Sequence, residues 1–337
     1  MAKTTGKEAV FHYCLVRTLG EGAFSQVYLA EDKNGNPYAC KVSREIKMLR
    51  REAEMLSRLY HPLFPAYLGY EESGGTGRLF MEYIPGRSLG QLARRRGGFS
   101  ATQAMRITEE LADGLRYLHE RQPTVLYRDL KPDNIIVCED GHVKIVDLGC
   151  ACVLDEQGGE RVGTPGFAPP EQLSAGRTAG IYSDVYGLGR TIQNVVAQTR
   201  RRRVGKAAGI RRRGKRAPEN REKICCKRAD IWRYEEKGCC SGDRKRYGEG
   251  GCQSGGRKHY GERGCHSWER KRYAEERKCR RRLEQMIEES TREDFRQRPQ
   301  DMISISNILT GKKKGEEGII CEKNIWESHY KNPCSLP

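Results

Sequence analysis

This 337-residue sequence has no apolar run approaching the roughly 18 residues that a membrane-spanning helix needs. Its first residues also lack the apolar core of a secretory signal. None of the 14 cysteines forms a Cys-x-x-Cys pair, so a zinc-ligand pattern is missing and nothing reads as a disulfide framework. A soluble, reducing, cytoplasmic setting is expected, where free thiols are ordinary. With 36% apolar residues the chain can bury the core of one large domain or two ordinary ones.

Charge is unevenly placed. The formal net charge is +17, yet thirty basic and eleven acidic side chains lie between Arg200 and Arg282, a surplus of 19 that leaves the rest of the chain slightly acidic. Inside that stretch the sequence repeats every 13 residues: Cys226, Cys239, Cys252 and Cys265 lead the units, followed by Tyr234, Tyr247, Tyr260 and Tyr273. The four units cover residues 226–277. Thirteen residues is not a whole number of helical turns, and Cys and Tyr supply almost all the apolar content, so disorder or frayed helix is expected rather than a packed solenoid. Arg200–Arg203 and Arg211–Arg213 offer cations to the phosphates of nucleic acid or anionic lipid, with the tyrosines available to stack on bases. The alternative is a solvated low-complexity spacer.

Elsewhere the periodicities are those of a mixed fold. Alternating apolar residues from Phe11 to Val42, with Asn34-Gly35 between two runs, predict three antiparallel strands. Arg44–Leu59 has helical spacing and stops at His61-Pro62. Ser100-Ala101-Thr102-Gln103 has the form of a capping box opening a helix to about His119, with Ile107, Leu111, Leu115 and Leu118 on one face. Two short strands, 135–137 and 143–146, come next, then a helix near 185–196. The pattern resumes at Leu283 and ends with a helix from about Gln300 to Leu309. A small β-rich lobe thus precedes a helical one.

Motifs fall in a fixed order along this frame. Leu19-Gly20-Glu21-Gly22-Ala23-Phe24-Ser25-Gln26-Val27 lies between two strands, where glycines let backbone N–H groups approach phosphate closely. Tyr38-Ala39-Cys40-Lys41 follows, with Glu52 in the next helix. Then come Tyr127-Arg128-Asp129-Leu130-Lys131-Pro132-Asp133-Asn134, Asp147-Leu148-Gly149, and Gly163-Thr164-Pro165-Gly166-Phe167-Ala168-Pro169-Pro170-Glu171. In this series the chain resembles the eukaryotic-type serine/threonine protein kinases over residues 11–199 and again over 283–309. The phrase from Gly163 to Gln172 is most similar to bacterial members.

The resemblance implies an α+β, two-lobed protein-kinase fold: N-lobe 11–84, first part of the C-lobe 85–199, basic insertion 200–282, last C-lobe helices 283–309 and polar tail 310–337. It also implies ATP and Mg²⁺ as cofactors and Ser/Thr-containing proteins as substrates. Asp129 would accept the proton of the substrate hydroxyl, Lys131 would steady the transferring phosphoryl group, and Asn134 and Asp147 would hold the metal. Lys41, held by Glu52, would grip phosphate beneath the loop of Leu19, Gly20, Glu21, Gly22, Ala23, Phe24, Ser25, Gln26 and Val27. Leu19, Val27, Ala39, Met81 and Ile136 would wall the adenine, with Met81 as gatekeeper and Glu82 to Ile84 as the hinge. Arg298 would pair with Glu171 as scaffolding, and Asp184 would accept backbone hydrogen bonds from the catalytic loop.

Three positions depart from the family pattern: Ser25 replaces the third glycine, Tyr127 the usual His, and Leu148 the usual Phe. Between Gly149 and Thr164 there is no Ser, Thr or Tyr, so a phosphate switch in that stretch is excluded. Glu160 is either a permanent acidic partner for Arg128 or an exposed loop residue. Two further readings stay open: a catalytically inactive kinase-fold scaffold, and a polyanion-binding protein acting through residues 200–282.

Overall fold

The computed structural model describes residues 13–156, 161–174, 177–210 and 262–312. It opens with β1 (Tyr13–Glu21), β2 (Ser25–Asp32) and β3 (Pro37–Ser43), then α1 (Ile46–Leu56) and the hairpin β4 (Tyr67–Ser73) and β5 (Thr76–Glu82). These strands form one antiparallel sheet in the order β1-β2-β3-β5-β4. The three expected strands are present, turning at Asn34-Gly35, where Gly35 has φ 81°. The β4–β5 hairpin is not signalled by alternation because Tyr67 and Leu68 are exposed; Gly74 and Gly75, both at positive φ, make its turn.

Apolar spacing explains how α1 sits. Its buried residues are Leu49, Glu52, Ala53 and Leu56, one face of a 3.6-residue helix. Glu52 therefore points its carboxylate into the interior from a position otherwise reserved for apolar side chains.

The second lobe follows as β6 (Gly86–Ser88), α2 (Leu89–Arg96), α3 (Ala101–His119), β7 (Val125–Leu126), β8 (Ile135–Cys138), β9 (Val143–Ile145), β10 (Cys152–Val153), α4 (Pro170–Leu173), α5 (Ile181–Ile210), α6 (Glu262–Ser290) and α7 (Met302–Thr310). The capping box at Ser100 and Gln103 is formed. Leu111, Leu115 and Leu118 of α3 are fully buried with Val185, Leu188 and Ile192 of α5, Met286 of α6 and Ile305 of α7. Each such side chain contributes about 1.5–3 kcal/mol of burial.

Both edges of the basic segment differ from expectation. α5 runs to Ile210 instead of ending near Thr199, and α6 begins at Glu262, well before Leu283. Cys279, Leu283, Met286 and Ser290 are buried at helical spacing, so the core-facing stripe of α6 starts within the stretch assigned to the insertion. Glu276 is tied down as well, its carboxylate accepting from Ala101 N at 2.8 Å, Thr102 N at 3.1 Å and Thr102 Oγ1 at 2.8 Å. The last 13-residue unit is therefore helix joined to the helical lobe, not disordered chain. The remaining repeats, Arg211–Arg213 and the tail beyond Lys312 lie outside the described residues.

Candidate active site

The cleft is assembled from both lobes. On β3, Lys41 is buried with its Nζ 2.8 and 2.7 Å from the Glu52 oxygens and 2.8 Å from Asp147 Oδ1. Leu148 N donates to the same Glu52 carboxylate at 3.2 Å, fixing the segment after β9 against α1. Burial alone would disfavour the Lys41 ammonium, but the two carboxylates outweigh it and hold its pKa above the ordinary lysine value. A buried cation with two acidic partners is a fixed point of charge.

Below it, the loop after β7 carries Asp129, Lys131 and Asn134. Lys131 Nζ donates to Asp129 Oδ2 at 2.7 Å and to Thr164 Oγ1 at 2.8 Å, while Thr164 Oγ1 donates to Asp129 Oδ1 at 2.7 Å. Asn134 Nδ2 donates to Asp129 O at 3.0 Å and to Asp129 Oδ2 at 3.2 Å. Thr164 thus joins a cluster that the spacing of 129, 131 and 134 alone would not reveal.

Two non-glycine residues here have left-handed backbone, Arg128 at φ 67° and Asp147 at φ 68°, a conformation that costs about 1–3 kcal/mol and persists only where neighbours enforce it. For Arg128 the enforcement is visible on both sides of the residue. Its N–H and that of Tyr127 donate to Asp184 at 2.8 and 2.9 Å. Its carbonyl accepts from Gln172 Nε2, which also reaches Val162 O at 2.8 Å. Asp184 was expected in this role; Gln172 was not, because a lone Gln has no local signature. Arg128 Nε donates to Cys150 O at 2.6 Å, and Glu160 lies outside the described residues. Further out, Arg298 pairs with Glu171 at 2.6 and 3.2 Å in the buried core, as the resemblance implies.

The remaining candidates line up around this centre. Leu19, Gly20 and Glu21 end β1; Gly22, Ala23 and Phe24 form the turn, closed by Gly22 N to Ser25 O at 2.8 Å; Ser25, Gln26 and Val27 open β2. Ser43 Oγ donates to Phe24 O at 2.6 Å, anchoring the turn to β3. Ala39 faces Leu29 and Met81 across the sheet, and Ile136 lies on β8 beside Lys144. Glu82 ends β5, its carboxylate held by Lys144 Nζ at 2.7 and 2.8 Å and its N–H donating to Ala66 O at 2.9 Å. Ile84 follows in the link to β6. The Lys144–Glu82 pair, which connects the two lobes, is not legible in the sequence because its partners are 62 residues apart.

The oxygen inventory suits a hard divalent cation. Asp147 Oδ1 is engaged by Lys41 and by Gly149 N, and Asn134 donates through its nitrogen. That leaves Asp147 Oδ2 and Asn134 Oδ1 without protein partners among the described residues. One carboxylate oxygen and one amide oxygen, with no group of three His, Cys, Asp or Glu among the described residues, suit a hard divalent cation that would take its other ligands from water and substrate phosphate.

The cleft thus lies between a β-sheet lobe and a helical lobe, with a caged Lys above an Asp-Lys-Asn loop. The family model for the protein kinase domain matches residues 13–238, and the chain belongs to that family. It is 34% identical over 190 residues to mitogen-activated protein kinase kinase kinase 17 of Arabidopsis thaliana, covering 53% of this chain and 50% of that protein. It is 32% identical over 180 residues to cAMP-dependent protein kinase type 3 of Saccharomyces cerevisiae, covering 51% and 45%. A catalytic subunit-like cAMP-dependent protein kinase of Caenorhabditis elegans is 31% identical over 189 residues, covering 53% and 46%. The chain spans about half the length of the curated relatives it matches. Among the described residues no helix is long and apolar enough to cross a membrane.

Proposed function

We propose that the chain transfers the γ-phosphoryl group of ATP to Ser or Thr hydroxyls of proteins, with Mg²⁺ held by Asn134 and Asp147. The single observation that carries this reading is the Asp129–Lys131–Thr164 cluster standing below the Lys41–Glu52–Asp147 cage. Asp129, placed by Asn134 and Thr164, orients the attacking hydroxyl and takes its proton. Lys131 faces the charge that builds on the transferring oxygens, and Lys41 holds the phosphates that stay behind. The metal, when bound, neutralises phosphate charge and aligns it for in-line transfer. Positioning and electrostatics are most of what phosphoryl transfer requires of a protein.

Leu19, Gly20, Glu21, Gly22, Ala23, Phe24, Ser25, Gln26 and Val27 cover the nucleotide, and Ala39, Met81, Glu82, Ile84 and Ile136 complete its pocket. Because both Glu82 side-chain oxygens and its N–H are engaged by protein, the hinge would meet adenine through other backbone groups. The bacterial character of Gly163–Gln172 rests on the wording of that segment alone; the relatives above are plant, fungal and animal proteins. A cytoplasmic, ATP-rich and reducing setting suits thiols such as those of Cys40 and Cys138.

The test is radiolabelled transfer from ATP·Mg²⁺ to a generic protein and to the chain itself, with wild type, Asp129→Asn and a deletion of 226–260. Transfer to Ser/Thr by wild type and its loss in Asp129→Asn is the expected result. A folded wild type as silent as Asp129→Asn across many substrates would leave the scaffold reading in its place. The surplus of 19 positive charges in residues 200–282 supports a second, separable contact with a polyanion. Such binding weakens steeply with added salt and is lost when Arg200–Arg203 and Arg211–Arg213 are replaced by Ala.

A further inference from the structure

We infer that this site selects segments whose phosphoacceptor is flanked by Asp or Glu. The inference rests on the kinase reading above and assigns its substrate class.

Carboxylates around the front of the Asp129 loop are matched by the protein's own cations. Asp129 is paired with Lys131 at 2.7 Å, and Asp133 with Arg94 at 3.2 Å. The last pair bears most directly on substrate. Asp133 precedes Asn134, and its side chain is 57% exposed, so it is the acidic group best placed to receive a basic residue of a passing peptide. Ser88 Oγ also reaches it at 3.4 Å. A Cβ added at Gly90 would fall on Asp133 Oδ1; the glycine lets α2 approach closely enough for Arg94 to cap that carboxylate.

Other arginines ring the same loop. Arg87 is exposed on β6, opposite Val137 of β8. Exposed Arg161 adjoins Val162, whose carbonyl shares Gln172 Nε2 with that of Arg128. Arg190 Nε donates to Gly166 O at 2.9 Å, in the turn begun by Thr164, whose hydroxyl donates to Asp129. Each of these is one or two links from the loop that carries Asp129. The exposed carboxylates of the same activation segment, Asp155 and Glu156, sit instead beside Thr124, ahead of β7, where Leu154 N donates to Thr124 O at 2.8 Å.

Among the described residues a peptide entering the cleft therefore meets a positive rim, which favours acidic flanks and disfavours basic ones. Each exposed charge pair changes affinity by no more than a few-fold, so three or four acting together amount to about ten-fold. The chain's own basic segment is then a poor substrate, despite Ser241, Ser254 and Ser267 within it.

The experiment uses the full chain and three peptides with the same central Ser and flanks of Glu, Ala or Arg, comparing kcat/KM at low and raised salt. Preference for the Glu peptide over the Arg peptide by about ten-fold, narrowing as salt screens exposed charges, is expected. Arg94→Ala, which uncovers Asp133, raises kcat/KM for the Arg peptide, and Arg161→Glu lowers it for the Glu peptide. Equal turnover of the Glu and Arg peptides, preference for Arg flanks, or an unchanged ratio in Arg94→Ala with a native circular-dichroism spectrum overturns the inference. In those cases Ala-peptide turnover that Asp129→Asn abolishes keeps the kinase reading standing. Silence toward all three peptides and toward the many substrates of the transfer assay overturns both.

Discussion

Lys41 and Asp147, 106 residues apart, meet with Nζ 2.8 Å from Oδ1 while the same ammonium is gripped by Glu52 from α1. One cation therefore closes the upper lobe onto the segment after β9. The contact joins the buried Lys41–Glu52 pair of the sheet and α1 to the exposed carboxylate of Asp147.

Removing that cation should be felt in stability as well as in nucleotide binding. Lys41→Met leaves Glu52 buried without its counter-charge, and breaking a buried pair in this way costs about 3–5 kcal/mol. The expected outcome is a lower urea midpoint together with loss of ATP affinity by calorimetry. Adding Glu52→Leu to Lys41→Met should restore much of the stability without restoring affinity. Recovery of both would show that Lys41 serves the fold alone.

Acid should loosen the join between α6 and α3. Burial alone would raise the Glu276 pKa, but the N–H groups of Ala101 and Thr102 and the Thr102 hydroxyl outweigh it and hold it below the usual 4.5. A folded-state pKa below the unfolded one adds stability that is present above pH 4.5 and lost as pH falls through the folded value. Glu276→Gln is expected to cost about 1 kcal/mol at pH 7, as loss of a helix cap does, and less at a pH acidic enough to have passed the lowered folded value, where the wild-type carboxyl is itself protonated. A urea series at both pH values checks this; a difference that ignores pH would show that the charge is idle.

Arg298 cannot be replaced by a simpler cation. Arg298 is 3% exposed, and its guanidinium bonds both Glu171 oxygens and the carbonyls of Arg292 and Glu293. Arg298→Lys supplies a point charge with no planar fork, so most of the roughly 3–5 kcal/mol expected for Arg298→Ala should persist in the Lys variant. Thermal unfolding of the two variants side by side distinguishes this from a plain charge requirement, which Lys would satisfy.

The two lobes were largely legible in the sequence because their signals are local. Alternation gave β1 to β3, 3.6-residue spacing gave α1, α3 and α7, and Ser100 with Gln103 marked a helix start that is formed as a capping box. Where local signal fails, so did the reading. The β4–β5 hairpin shows exposed apolar residues, and α2 is short and arginine-rich. In α6 the dense charge around the end of the insertion hid a buried stripe that begins at Cys279.

The sequence by itself determined the order of the motifs, the phosphate-loop glycines and the residue types that phosphoryl transfer needs, since a chemical group and its neighbours along the chain are written directly in it. Tertiary structure alone decided that Thr164 bonds Asp129, that Gln172 holds the Arg128 carbonyl, that Glu276 caps α3 across 175 residues, and that Arg94 neutralises Asp133. These pairings depend on where the packing of one apolar face against another brings distant polar groups together. No periodicity in the chain encodes that geometry, because each partner alone resembles an ordinary surface residue.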